Sequence, residues 1–156
     1  MRALFLTAIV TFILDQVSKL YVVFVLDLKT VLAIDVLPPV LNFRMAWNRG
    51  MNFGLFSNNA HSAQYVLVAI SLAICCFVLI WIYRERPRKI GYIAAGLLIG
   101  GAIGNVVDRV AYGAVADFLN MSCCGFSNPF SFNVADISIF AGAVALAIIP
   151  PAQKQG

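Results

Sequence analysis

Four stretches of this chain are apolar at nearly every position, at about residues 3–26, 63–83, 90–107 and 134–149. A helix crosses the hydrocarbon core of a bilayer in about 20 residues, with a range of roughly 17 to 25. Each stretch is therefore read as a transmembrane helix, although the last is short and Pro150-Pro151 closes it. Between the first two the pattern changes: Leu41, Phe43, Met45 and Trp47 alternate with Asn42, Arg44, Ala46 and Asn48. A period of two predicts a strand with one apolar face. The segment 31–37, rich in branched residues and ended by Pro38-Pro39, predicts a partner for it. After the strand, Phe53, Leu55 and Phe56 form an aromatic patch suited to the headgroup layer. The fold class expected is a membrane α-helical protein, with four transmembrane helices and a small extracytoplasmic β-sheet between helices 1 and 2. No internal repeat is evident, so residues 1–156 are read as a single integral-membrane domain.

Charge orients these spans. The short connection after the second span holds Arg84, Arg86, Arg88 and Lys89 against one acid, Glu85. Basic loops stay in the cytoplasm, so both termini fall on that side, and segments 27–62 and 108–133 face outward. Arg2 before the first apolar run also fits a removable signal peptide. No small-x-small cleavage pattern follows, however, and apolar residues resume from Leu20 to Leu26, so the run is kept as a span.

Composition agrees and removes other classes. With 62% hydrophobic and 12% charged residues and a mean hydropathy of +0.89, the chain is far from soluble averages. Its net charge of +4 is concentrated in the cytoplasmic loop, a topology signal rather than a nucleic-acid surface. The cysteines form two vicinal pairs, Cys75-Cys76 and Cys123-Cys124, without zinc-site spacing, and the one histidine, His61, is far from them in sequence. Cys75 and Cys76 are read as packing residues; Cys123 and Cys124 can be oxidised if their loop is extracytoplasmic.

Polar groups then stand out against so apolar a background. Asp15 and Lys19 lie four positions apart on one face of the first span. They read either as a structural ion pair near the outer interface, with Lys19 snorkelling, or as groups that touch a substrate. In the third span Gly96, Gly100 and Gly104 lead on to Asp108, beside a row holding Gly101, Asn105 and Arg109. Glycines at this spacing let helices approach closely, while Asn105, Asp108 and Arg109 gather at the outward end. Asn133 and Asp136 open the fourth span with the spacing of a helix cap, which alone accounts for Asp136. Asp117, between Ala116 and Phe118, caps no predicted helix.

Nucleophilic proteolysis generally needs a base such as histidine beside a serine or cysteine. The lone His61 has no G-x-S-x-G or H-E-x-x-H context. Paired carboxylates remain: two close aspartates do not both ionise easily, so one holds a proton while the other activates water toward a carbonyl. Two other readings compete with this one. A small ion- or proton-coupled transporter would place charges near mid-membrane on several spans and show repeat symmetry; a noncatalytic assembly subunit would rest on the glycine row.

The chain resembles the bacterial lipoprotein signal peptidases, signal peptidase II, an aspartyl protease family. Five blocks in order carry the resemblance: Asp15-Gln16-Val17-Ser18-Lys19, Asn48-Arg49-Gly50-Met51-Asn52-Phe53, Gly101-Ala102-Ile103-Gly104-Asn105-Val106-Val107-Asp108-Arg109, Val115-Ala116-Asp117-Phe118 and Phe132-Asn133-Val134-Ala135-Asp136. The resemblance implies an endopeptidase in the bacterial inner membrane that removes the signal peptide from diacylglyceryl-modified prolipoproteins, just before the lipidated cysteine. It implies a catalytic dyad of Asp117 and Asp136. Asn48, Gly50, Asn105, Asp108, Arg109 and Asn133 would bind substrate or shape the site, and Asp15 and Lys19 would orient it. It further implies no metal or cofactor, a site near the periplasmic face, a β-cradle for the outward sheet, and a monomer whose partners are the lipidated precursor and membrane lipids. The loop between the two aspartates is expected to act as a lid.

Overall fold

A computed structural model describes residues 1–38, 40–50, 60–123, 125 and 128–148, with the backbone alone at 60–63. In chain order the elements are α1 (Arg2–Lys19), which continues as a π-helix over Leu20–Val25, α2 (Leu28–Val31), β1 (Ala33–Leu37), β2 (Leu41–Asn48), α3 (Ala60–Glu85), α4 (Lys89–Tyr112), β3 (Val115–Met121) and α5 (Val134–Ile148). Three of the helices, counting α1 with its extension to Val25, are long and apolar enough to cross a membrane, and α5 is a shorter apolar helix. The 15 residues of α5 rise about 22 Å, against a hydrocarbon thickness of about 30 Å.

Helix α4 is the centre of the bundle, packed most extensively against α1 on one side and α5 on the other. Its glycines allow this. A β-carbon on Gly100 would stand 2.5 Å from the carbonyl oxygen of Ala8 in α1, and one on Gly101 2.6 Å from that of Ala135 in α5. Close backbone approach is the role small residues take between membrane helices, where apolar burial alone favours no pairing. Helix α3 lies farther out and leaves Tyr65, Ile70, Phe77, Ile80 and Tyr83 exposed, while Cys75 joins Leu4, Val78 and Ile82 in the buried cluster. Cys76 lies on the exposed side of the same helix.

The third long helix runs past the expected end at residue 107. Charge at Asp108 and Arg109 implies an end only if those groups face lipid, and Asp108 is buried in protein. The helix stops instead at Gly113, whose φ of +75 is the left-handed cap that glycine takes at least cost, with its N–H returning to Arg109 O at 3.0 Å.

The sheet has three antiparallel strands in the order β1-β2-β3. Strand β2 is the one the alternation predicts, and β1 is the partner expected over 31–37, shortened because Val31 belongs to α2; the third, Val115–Met121, runs into the segment between Asp117 and Asp136, which was expected to be a loop. Strand β3 pairs Asp117 with Ala46, Leu119 with Phe43 and Met121 with Leu41, and Leu119 bridges to Phe132, so the first residues of the expected lid are held in the sheet. Strand β3 was invisible to periodicity because Val115 to Phe118 are buried on both faces, and such a strand shows no alternation. Phe118 meets Phe43 edge-on at 5.8 Å and packs in one cluster with Val22 and Val23 at the end of the first long helix and Leu28 of α2. The patch at Phe53, Leu55 and Phe56 lies outside the described residues.

Candidate active site

Lys19 is where the buried polar groups converge. Its Nζ lies 2.8 Å from Asp15 Oδ2 and 2.8 Å from Asp108 Oδ2, and it donates to Asn105 Oδ1 at 3.2 Å. It is only 5% exposed, so the snorkelling reading does not hold: the ammonium stays in the protein because two carboxylates compensate its desolvation. Gln16, not singled out from sequence, bridges the same pair, donating to Asp15 Oδ2 and Asp108 Oδ1 at 3.1 Å each. Only its place beside Asp15 hinted at this.

Each of those two carboxylates then reaches a backbone amide elsewhere. Asp15 Oδ1 accepts the N–H of Ala135 at 2.9 Å, and Asp108 Oδ2 accepts the N–H of Ala116 at 3.2 Å. The next residues along the chain are Asp136 and Asp117. One lysine thus ties together the two anchors that set the backbone just before each of these aspartates. Asp15 also supplies charge to the first turn of α5, where free N–H groups and the positive end of the helix dipole favour it.

Asn133 joins the aspartates directly. Its Nδ2 donates to Asp117 Oδ1 at 2.6 Å and to Asn105 Oδ1 at 3.3 Å. Its Oδ1 accepts the Asp136 N–H at 2.9 Å, and its own N–H donates to Asp136 Oδ2 at 3.3 Å. The capping arrangement read from sequence is therefore present, but it leaves Asp136 Oδ1 to accept from Asn105 Nδ2 at 2.9 Å. On the other side Asn48 Nδ2 donates to Asp117 Oδ2 at 3.0 Å. The Gly50 N–H, at a residue with φ +70, turns back to Asn48 Oδ1 at 2.9 Å. That bond fixes which end of the Asn48 amide faces the carboxylate, and the left-handed backbone there favours glycine.

The electrostatics follow from burial. Asp117 is 3% exposed, and its pKa is pushed up to about 6, chiefly by burial and then by the charge of Asp136, against the hydrogen bonds from Asn48 and Asn133 and the charge of Lys19. Arg109 sends Nη1 to Asn105 O at 3.2 Å, while its buried Nε has no hydrogen-bond partner among the described residues. A second residue that sequence gave no signal for, Gln64 of α3, donates its side-chain amide to Arg109 O. Asp117 lines an open cavity of about 460 Å³ between β2 and residues 129–131. The nine residues Asp15, Lys19, Asn48, Asn105, Asp108, Arg109, Asp117, Asn133 and Asp136 form one cluster linked by the contacts above, and Gly50 supports it from behind Asn48. A protonatable aspartate beside a second aspartate, oriented by amides at the mouth of a cleft, is equipped for general acid and base work.

Comparison with known proteins gives the same direction. A family model described as signal peptidase (SPase) II matches residues 7–150. The lipoprotein signal peptidase of Methylobacterium radiotolerans is 42% identical over 145 residues, covering 93% of this chain and 83% of that protein. The one from Nitrobacter hamburgensis is 38% identical over 149 residues, covering 94% and 90%. Two solved structures described as bacterial membrane enzymes determined by the in meso method superpose with TM-scores of 0.78 at 26% identity, covering 95% of this chain and 92% of that one, and 0.73 at 27% identity, covering 95% and 87%.

Proposed function

This chain belongs to the signal peptidase II family of membrane proteases, and on that premise we propose that it cleaves diacylglyceryl-modified prolipoproteins immediately before the lipidated cysteine, with Asp117 and Asp136 as the catalytic dyad. The observation that carries the assignment is Asn133, one side chain hydrogen-bonded to both aspartates. In the proposed reaction Asp117, whose pKa is raised to about 6, holds the proton and hydrogen-bonds the scissile carbonyl oxygen. Asp136 takes a proton from water as the water oxygen adds to the carbonyl carbon. The tetrahedral intermediate collapses when the amine of the cysteine leaves with a proton returned by the dyad. Asn48, Asn105 and Asn133 hold the carboxylates in place, and Arg109, whose buried Nε has no hydrogen-bond partner among the described residues, takes a backbone carbonyl of the bound precursor. Asp15, Lys19 and Asp108 orient the dyad through the Ala135 and Ala116 amides.

The membrane arrangement is part of the same proposal. Helix α5 serves as a fourth span whose short length sets Asp136 at the outer edge of the hydrocarbon, where the precursor presents its cleavage point. The loop bearing Arg84, Arg86, Arg88 and Lys89 is cytoplasmic, which puts both termini inside and the sheet and dyad at the outer face. The disulfide at Cys123 supports an outward position for its loop, since thiols oxidise outside the cytoplasm. The test is to incubate the purified protein in detergent with a lipidated precursor and follow the released signal peptide. A transporter or an assembly subunit releases none.

A further inference from the structure

The cleft at Asp117 forks, and the two limbs differ in chemistry. One limb is a groove of about 480 Å³ that shares Ala46, Pro129 and Ser131 with the cleft and runs past Arg44, Asn42 and Asn120. The other is a notch of about 290 Å³ that shares Trp47 and Arg49 with the cleft and is closed by Tyr112 and Ala114. The notch is aromatic. Trp47 and Tyr112 meet at a tilt of 54° with centroids 5.8 Å apart, and Phe24 extends the row at 6.2 Å from Tyr112. Tyr112, on its wall, is 53% exposed.

We infer that this notch seats the diacylglyceryl arm of the substrate cysteine, with Trp47 and Tyr112 against the glycerol and the first acyl carbons and Arg49 toward the ester oxygens. The inference rests on the proposed function and adds the place where the lipid is recognised. The lipid is borne by the residue that immediately follows the scissile bond, so it must leave the Asp117 cleft within one side chain's length. Routing two acyl chains along the polar groove would bury them against asparagines, serines and the Arg44–Asp35 ion pair, which gain nothing from apolar contact and lose water. The aromatic limb offers apolar faces on the way to the bilayer, and rings at the headgroup level suit a group that is ester at one end and hydrocarbon at the other. The polar limb is left for the peptide that continues outward after the cysteine.

The test compares synthetic precursors of one peptide sequence carrying S-diacylglyceryl groups with two hexadecanoyl or two hexanoyl chains, cleaved by the full-length protein in mixed micelles. Trp47→Ala and Tyr112→Ala are each expected to raise KM for the long-chain precursor about tenfold with kcat changed less than about twofold. The preference for long chains shrinks accordingly, whereas Arg44→Ala in the polar limb leaves that preference unchanged. As a measure that needs no variant in the notch, a precursor with a diazirine on the first acyl carbons is photolysed on Asp117→Asn protein, and crosslinks are expected on peptides containing Trp47 or Tyr112. An unchanged chain-length preference in both notch variants, or crosslinks confined to other segments, overturns the inference. Wild-type protein that cleaves neither precursor brings down the proposed function itself, so the two failures are distinct.

Discussion

Asn133 donates its side-chain amide to Asp117 at 2.6 Å while its side-chain oxygen receives the backbone N–H of Asp136 at 2.9 Å. A residue that would serve merely as a helix cap thereby fixes the relative position of two carboxylates from different elements. If the pair is the reactive dyad, Asp117→Asn and Asp136→Asn each leave an inserted, folded protein and lower processing of a lipidated precursor by about a thousandfold or more. Accumulation of uncleaved precursor in cells depending on the variant measures this, and normal processing by either variant removes the dyad assignment.

The raised pKa of Asp117 has two consequences of known sign. Its acid function is lost as pH climbs through about 6, so kcat/KM for precursor cleavage should fall on an alkaline limb with an apparent pKa near that value, as a property of the coupled pair. A carboxyl whose folded pKa lies above its unfolded value, 3.8 here, weighs against the fold once pH exceeds the folded pKa, and weighs less as pH falls toward 3.8. Asp117→Asn should therefore raise Tm at pH 8 by an amount equivalent to at most about 3 kcal/mol, with the gain fading below about pH 4. Scanning calorimetry or light-scattering melts in detergent decide it, and equal Tm gains at both pH values would contradict the assigned shift.

Lys19 shares its charge between Asp15 and Asp108 at 2.8 Å each. Lys19→Met leaves two carboxylates buried together without a cation, an arrangement that costs about 3 to 5 kcal/mol. The expected result is a sharply lower Tm, partly restored when Asp15→Asn is added. In whatever fraction folds, the alkaline limb of the pH profile should move upward, because the Lys19 charge lowers the pKa of Asp117.

Gly104 touches the same cluster through space rather than charge. A β-carbon there would stand 2.5 Å from Asp15 Oδ2, so Gly104→Ala must displace the carboxylate that holds the Ala135 amide. A loss of about 1 to 3 kcal/mol in stability is expected, with kcat reduced beyond what the folded fraction explains. Gly113→Ala, at the end of the same helix, where a β-carbon would stand 3.6 Å from Gln64 Oε1, an ordinary contact, should lower stability by backbone strain at φ +75 with kcat per folded molecule preserved.

Reporter fusions examine the orientation. A phosphatase active only outside the cytoplasm should be silent when fused after Arg86 and active when fused after Ser122. The reverse pattern would invert the membrane arrangement proposed here.

By itself the sequence determined the helices, two strands and the inventory of polar groups, because lipid tolerates so little polarity that each apolar run and each buried charge is conspicuous. The blocks around Asp15, Asn48, Asn105, Asp117 and Asp136 also made the family legible. The partnerships were decided by tertiary structure alone. Asp108 reads as a helix-end charge until α1 brings Lys19 against it, and Asp117 reads as a loop acid until β3 is buried on both faces beside β2. Local pattern reports what one segment prefers, whereas the Ala116 and Ala135 amides are held by carboxylates 8 and 120 residues away in the chain. Only packing of α1, α4, β3 and α5 around the glycines of α4 sets those distances. The two aspartates, each modest in its own stretch of sequence, become a pair because one asparagine reaches both and one lysine joins the carboxylates that hold the amide before each.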